Sequence, residues 1–153
     1  MRFTYGPPQG CGGSLTVSES QSTVVESLDI SQNQNYEPDL NCQWRISAEN
    51  PAKVLKMTFS RFNIERDSNE TSVTCWDYLE IRDGHGPFSP LIGHFCGTEN
   101  PIPITSSTGF LWVKFFSDST NNLPGFRATV QSIDPVCGSH VPINVTEDQQ
   151  VCV

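Results

Sequence analysis

A chain of 153 residues and 17.0 kDa holds one ordinary domain and is too short for two. Nine Lys and Arg against seventeen Asp and Glu give a net charge of −8, which argues against nucleic acid and against insertion into or binding on an anionic membrane, because little here could neutralise a run of phosphates. No apolar stretch approaches the roughly 18 residues of a membrane span, and the opening Met1-Arg2-Phe3-Thr4-Tyr5 lacks the apolar centre of a signal peptide, so a mature product or a fragment of something longer is expected.

In chain order the sequence reads as short strands with turn residues between them. Val24 to Ile30 alternates apolar with polar after its first residue, as do Cys42 to Ile46 and Val54 to Phe59. Tyr78 to Arg82 runs into Asp83-Gly84, a strong turn dipeptide. Leu91 to Phe95 follows. Phe110 to Phe116 is the most apolar run and is expected as a central strand, and Phe126 to Val130 closes the set. Glycines and prolines fall between these runs, as Gly86-Pro87, Asn100-Pro101, Ile102-Pro103 and Pro124-Gly125. Helix signals are nearly absent. The pattern predicts an all-β antiparallel sandwich.

Six cysteines stand at 11, 42, 75, 96, 137 and 152, and no two have the C-x-x-C spacing of a zinc or redox site. An even, widely spaced set reads as disulfides, each contributing on the order of 3 kcal/mol by constraining the unfolded chain. The sequons at Asn69 and Asn144 are candidate glycosylation sites and agree with a secreted or cell-surface protein. Arg2-Phe3-Thr4-Tyr5, ahead of Cys11-Gly12, is similar to Arg127-Ala128-Thr129-Val130, ahead of Cys137-Gly138. One explanation is an array that holds the end of one repeat, a whole repeat and the start of another; chance similarity is the other.

Seven pieces occur in order: C-G-G-S-L-T from Cys11, N-Y-E-P-D-L-N-C-Q-W from Asn35, F-S-R-F-N-I-E from Phe59, C-W-D-Y-L-E-I-R-D-G from Cys75, F-C-G from Phe95, L-W-V-K-F-F-S-D from Leu111 and P-G-F-R-A from Pro124. Together they resemble a CUB domain over residues 11–131. The resemblance implies a jelly-roll sandwich of two antiparallel sheets, with bridges Cys11–Cys42 and Cys75–Cys96. On this reading residues 1–10 are a tail or the end of a preceding repeat. Residues 132–153 are a linker or the start of a following domain. Cys152 comes too early to be the second cysteine of a new repeat, so a local Cys137–Cys152 bridge is the simplest alternative.

Glu65, Asp77 and Asp118 each stand at the end or start of an expected strand, positions that a sandwich gathers in its edge loops. Carboxylates packed together repel one another, and a hard dication relieves that; calcium needs six to eight oxygens, and magnesium demands a tighter octahedron. Asn121 offers an amide oxygen and Thr120 a backbone carbonyl. The resemblance implies a calcium-binding subclass that uses the acids at 65, 77 and 118 with Asn121, and a tyrosine, here Tyr36, hydrogen-bonded to the acids. The filled site would stay negative and accept a Lys or Arg of a protein ligand. Trp76, beside Asp77, is a candidate ligand contact or a packed residue.

The expected function is a non-catalytic extracellular binding module that docks a basic side chain through calcium, within a larger receptor or scaffold. The alternative is a regulatory domain of a secreted serine or metalloprotease whose catalytic part lies elsewhere. A small carbohydrate-binding protein of the spermadhesin kind is a third reading, and the acids count against it. The histidines at 85, 94 and 140 have no metal-ligand spacing, and no nucleophile elbow or H-E-x-x-H sequence is present.

Overall fold

Alternation of apolar and polar residues buries one face of each strand, and two such faces closed on each other leave water outside. The computed structural model describes residues 11–27, 35–67, 74–120 and 123–135. Cys137, Cys152, Asn69, Asn144, Asn121, His140 and residues 1–10 lie outside that set.

The strands are β1 (Gly13–Val17), β2 (Thr23–Glu26), β3 (Asn41–Ala48), β4 (Val54–Asn63), β5 (Tyr78–Arg82), β6 (Leu91–Phe95), β7 (Ile104–Thr105), β8 (Phe110–Phe116) and β9 (Gly125–Ile133). They form a five-stranded sheet in the order β1-β3-β8-β5-β6 and a four-stranded sheet in the order β2-β9-β4-β7. The β1–β3 pair is parallel and the other pairs are antiparallel. The all-β sandwich of the sequence reading is therefore the fold, with β8 inside its sheet between β3 and β5. β1 and β7 were not among the expected strands. β1 starts on Gly13 and buries only Val17 fully, and β7 is two residues between prolines and a serine run, so neither carries an alternating signal. No helix among the described residues is long and apolar enough to cross a membrane.

The core fills the space between the sheets. Trp44, Ile46, Leu79, Ile81, Leu111, Val113 and Phe115 come from the first sheet and meet Leu55, Met57, Phe59, Phe126, Ala128 and Val130 of the second. Phe126 is the hub: its ring lies 5.5 Å from Phe115, 6.0 Å from Trp44 and 6.4 Å from Phe59, between centroids. A register shift in β4 between Phe59 and Arg61 changes the phase of the strand. Phe62 and Ile64 thereby face the core after Phe59, and the strand leaves the sheet at Glu65. Cys11 is bonded to Cys42 and Cys75 to Cys96. The second bridge ties the chain just before Asp77 to the chain just before Gly97.

Candidate metal centre

β5 and β8, neighbours in one sheet, and β4 of the other sheet bring their acids to the same edge: β4 leads into Glu65, β5 begins after Asp77 and β8 leads into Asp118. One carboxylate oxygen of each lies within 4.8 Å of the other two, the one group of metal-ligand type among the described residues. The acids that are far apart in sequence thus meet in space.

Asp77 is the floor of this site, with no exposed surface. Its Oδ2 accepts the Tyr36 hydroxyl at 2.5 Å, and its Oδ1 accepts the Asp118 N–H at 2.8 Å. A carboxylate offers about four acceptor directions, so these two bonds fix its plane and leave the rest for a ligand. Tyr36 also accepts the Glu65 N–H, at 3.2 Å, so a single hydroxyl joins two of the three acids. Its ring is buried edge-on against Phe115 at 4.9 Å, and its own N–H donates to the Leu123 carbonyl at 2.8 Å. The Asp77 N–H points to the Glu65 carbonyl at 3.3 Å. Asp118, half-buried, accepts the Thr120 N–H on Oδ1 at 3.1 Å, and its carbonyl accepts the Asp39 N–H at 2.9 Å. Asp39 has a φ of 58°, a left-handed conformation that aspartate tolerates better than most residues.

Glycine is required at 125, where φ is +84° and a Cβ would run into the Ser27 hydroxyl and approach the Tyr36 ring to 3.1 Å. The close passage of β9 past Tyr36 therefore depends on it. Ser117, fully buried, donates to the Glu37 carbonyl at 2.8 Å and accepts the Leu40 N–H at 2.9 Å, which holds the loop carrying Tyr36. Ser117→Ala is expected to destabilise the protein by about 2 kcal/mol, since it takes the Ser117 hydroxyl from the buried Leu40 N–H; urea unfolding measures it.

Burial raises Asp77 from its ordinary 3.8 to about 6. The bonds from Tyr36 and the Asp118 N–H pull it down, and the charges of Asp118 and Glu65 push it further up. Burial and the bond into Asp77 also push the Tyr36 phenol far above its usual range, so it remains a donor. The site is thus an all-oxygen donor set holding charge that its surroundings resist. That is what a hard dication fits, and Glu65, Asp77 and Asp118 are the side chains that would hold one, with carbonyls or water completing its shell.

Sequence reasoning named Tyr36 and the three acids, and the structure brings all four together. Thr120 sits beside Asp118 through its N–H. Trp76 is 49 % exposed, so its side chain is at the surface rather than in the core. His94 lies on β6 stacked at 4.3 Å on Tyr78, the residue after Asp77, and His85 meets Phe110 edge-on at 5.1 Å; neither belongs to the acid cluster. Sequence reasoning missed Ser117, Ser27 and Leu123, whose roles depend on neighbours that no local motif marks.

A disulfide-bridged sandwich of five and four strands, with acids gathered at one loop edge, defines an extracellular β-module of the jelly-roll class. The sequence model of the CUB domain family matches residues 11–130, and the chain belongs to that family. It is 44 % identical over 139 residues to cubilin of Rattus norvegicus, covering 90 % of this chain and 4 % of cubilin. It is 39 % identical over 127 residues to human tolloid-like protein 1, covering 83 % of this chain and 12 % of that protein. The chain thus spans a small part of the relatives it matches. Among solved structures, the MASP-1 CUB2 domain bound to Ca2+ superposes with a TM-score of 0.63 at 26 % identity, covering 79 % of this chain and 99 % of that one. The chain is a non-catalytic, extracellular protein-interaction module.

Proposed function

We propose that the module binds one calcium ion through Glu65, Asp77 and Asp118 and docks a Lys or Arg side chain of a protein ligand on the same edge. The observation that carries this is the convergence of three carboxylate oxygens within 4.8 Å over a fully buried, hydrogen-bonded Asp77. The calcium bound by the MASP-1 CUB2 domain supports the same ion here. Three carboxylates against one dication leave the edge negative, and its outer oxygens accept a cation in charge-assisted bonds. The ion fixes loops that would otherwise be ordered only on binding, which lowers the entropy cost of association. Trp76, exposed and next to Asp77 in sequence, would contact the docked side chain. One such contact is weak, and a parent receptor or scaffold with several modules would act through avidity. In that layout residues 11–131 and the end of β9 are the module, residues 1–10 a tail or the end of a preceding repeat, and the residues after β9 a linker or the start of a following domain.

Calorimetric titration tests the reading. The protein is expected to bind calcium with Kd on the order of 0.1–1 mM, in the range of extracellular modules. Asp118→Ala, which removes the most solvent-facing acid, is expected to weaken this by about tenfold, or 1.4 kcal/mol, with the fold kept. Equal heats for the two proteins would overturn the assignment.

A further inference from the structure

Phe88, Leu91 and Phe110 are 99 %, 53 % and 40 % exposed. They lie at or beyond the Arg82 end of β5, whereas Asp77 precedes its other end. Phe110 opens β8 and Asp118 follows its close, so this end stands about 20 Å from the acids along the strand. The loop that carries Phe88 is tightly bonded. The Asp83 N–H donates to the Pro90 carbonyl at 2.8 Å, the Ser89 N–H to the Gly86 carbonyl at 3.1 Å, and Arg82 Nη1 to the Ser89 carbonyl at 2.9 Å. Asp83 Oδ1 accepts the Ser107 N–H at 2.9 Å, which ties the loop to the chain before β8. Phe88 is thus held out in water by an ordered loop, where it adds nothing to the core. His85 of the same loop meets Phe110 edge-on at 5.1 Å. These two rings wall an open groove of about 320 Å3, which Ser14, Arg45, Ile46 and Ser47 complete.

Arg45 decides the chemistry of the groove. Lys53, Arg61, Arg82 and Arg127 each reach a carboxylate, in a chain where seventeen acids face nine Lys and Arg. Arg45, exposed on β3, has no ion pair or hydrogen bond among the described residues. An open guanidinium beside two serine hydroxyls is a bidentate partner for a carboxylate. Arginine and aromatic side chains are also the residues that dominate binding energy in protein interfaces, and the family is one of protein-interaction modules. We propose that this end of the first sheet docks an acidic segment of a protein partner. An Asp or Glu carboxylate of that segment seats on Arg45, and its apolar neighbours cover Phe110 and Phe88. Neither calcium nor the acid cluster takes part. Simple attraction predicts no such preference, since a net charge of −8 repels an acidic segment.

NMR titration of the full chain in excess chelator tests this with three capped pentapeptides: Ala-Phe-Glu-Phe-Ala, Ala-Phe-Gln-Phe-Ala and Ala-Ser-Glu-Ser-Ala. The first is expected to bind about fivefold tighter than its Gln counterpart and about tenfold tighter than the Ser-flanked peptide. It should shift the resonances of Arg45, His85 and Phe110, and do so equally in saturating calcium. Arg45→Gln, at an exposed position, is expected to bring the Glu and Gln peptides level. Phe88→Ser, at a side chain without core contacts, is expected to weaken both Phe-flanked peptides and leave the Ser-flanked one unchanged. Absence of binding, equal binding of the Glu and Gln peptides, or a preference that survives Arg45→Gln would each overturn the proposal. So would shifts that require calcium, which would move the peptides to the acid edge. Dimers that form with concentration and vanish in Phe88→Ser would give this face to a second copy of the chain. A heparin tetrasaccharide that shifts the same resonances at lower concentration would give it to a sulfated glycan. Either result also overturns it.

Discussion

Asp77→Asn is expected to weaken calcium binding by about 100-fold, or 2.7 kcal/mol, while leaving the calcium-free protein at neutral pH within about 1–2 kcal/mol of its original stability. Two terms of opposite sign meet at this position. An amide has one acceptor oxygen, so either the Tyr36 hydroxyl or the Asp118 N–H loses its partner, at a cost of about 1–3 kcal/mol. Against this, a buried negative charge disappears. Asp77 is lifted from 3.8 to about 6, so keeping it ionised at pH 7.5 costs the fold about 3 kcal/mol. The two nearly cancel. Calcium affinity has no such compensation, because the amide is a neutral ligand where the ion meets a buried anion. Urea unfolding in excess chelator and calorimetric titration measure the two halves separately. Wild-type calcium heat in the variant would remove Asp77 from the ligand set. Gross unfolding in chelator would show that the hydrogen bonds, and not the charge, dominate there.

The strands whose alternation is complete were legible from the sequence, because each buries one face and its apolar residues repeat every second position. β3 shows this as Cys42, Trp44 and Ile46 inside with Asn41, Gln43 and Arg45 outside. β1 was not legible, although its C-G-G-S-L-T stretch was recognised as a motif. Its partner is parallel and its residues are mostly exposed, so order there comes from β3 and the Cys11–Cys42 bridge and not from its own pattern. The acid cluster was legible because Glu65, Asp77 and Asp118 each adjoin a strand end, and ends of neighbouring strands share an edge. The support beneath it was not. Ser117 holds a loop 80 residues away in sequence, and Ser27 reaches Phe126 across 99 residues. Such pairs follow from strand register and from which loops meet at the edge, neither of which a local reading contains.

The pH dependence should change sign with calcium. Without the ion, Asp77 has a folded value of about 6 above its ordinary 3.8. A group raised on folding favours the folded state fully below its unfolded value and loses that contribution as pH rises through the folded value. Asp77 therefore withdraws about 3 kcal/mol of stability between about pH 4 and pH 7. Other carboxylates titrate in the same range, so the clean quantity is the difference between the protein and Asp77→Asn in chelator, which should favour the unsubstituted protein increasingly as the pH falls. With calcium the slope reverses, because the ion binds only the ionised carboxylate and must displace the proton. A single group near 6 predicts an affinity about tenfold lower at pH 5 than at pH 7. A chelated difference that does not move with pH would mean that Asp77 is not held protonated by its surroundings. An affinity equal at the two pH values would mean that no buried proton competes with calcium. If both slopes appear, mild acid stabilises the empty module while it weakens the filled one, and loss of the ion then requires no unfolding.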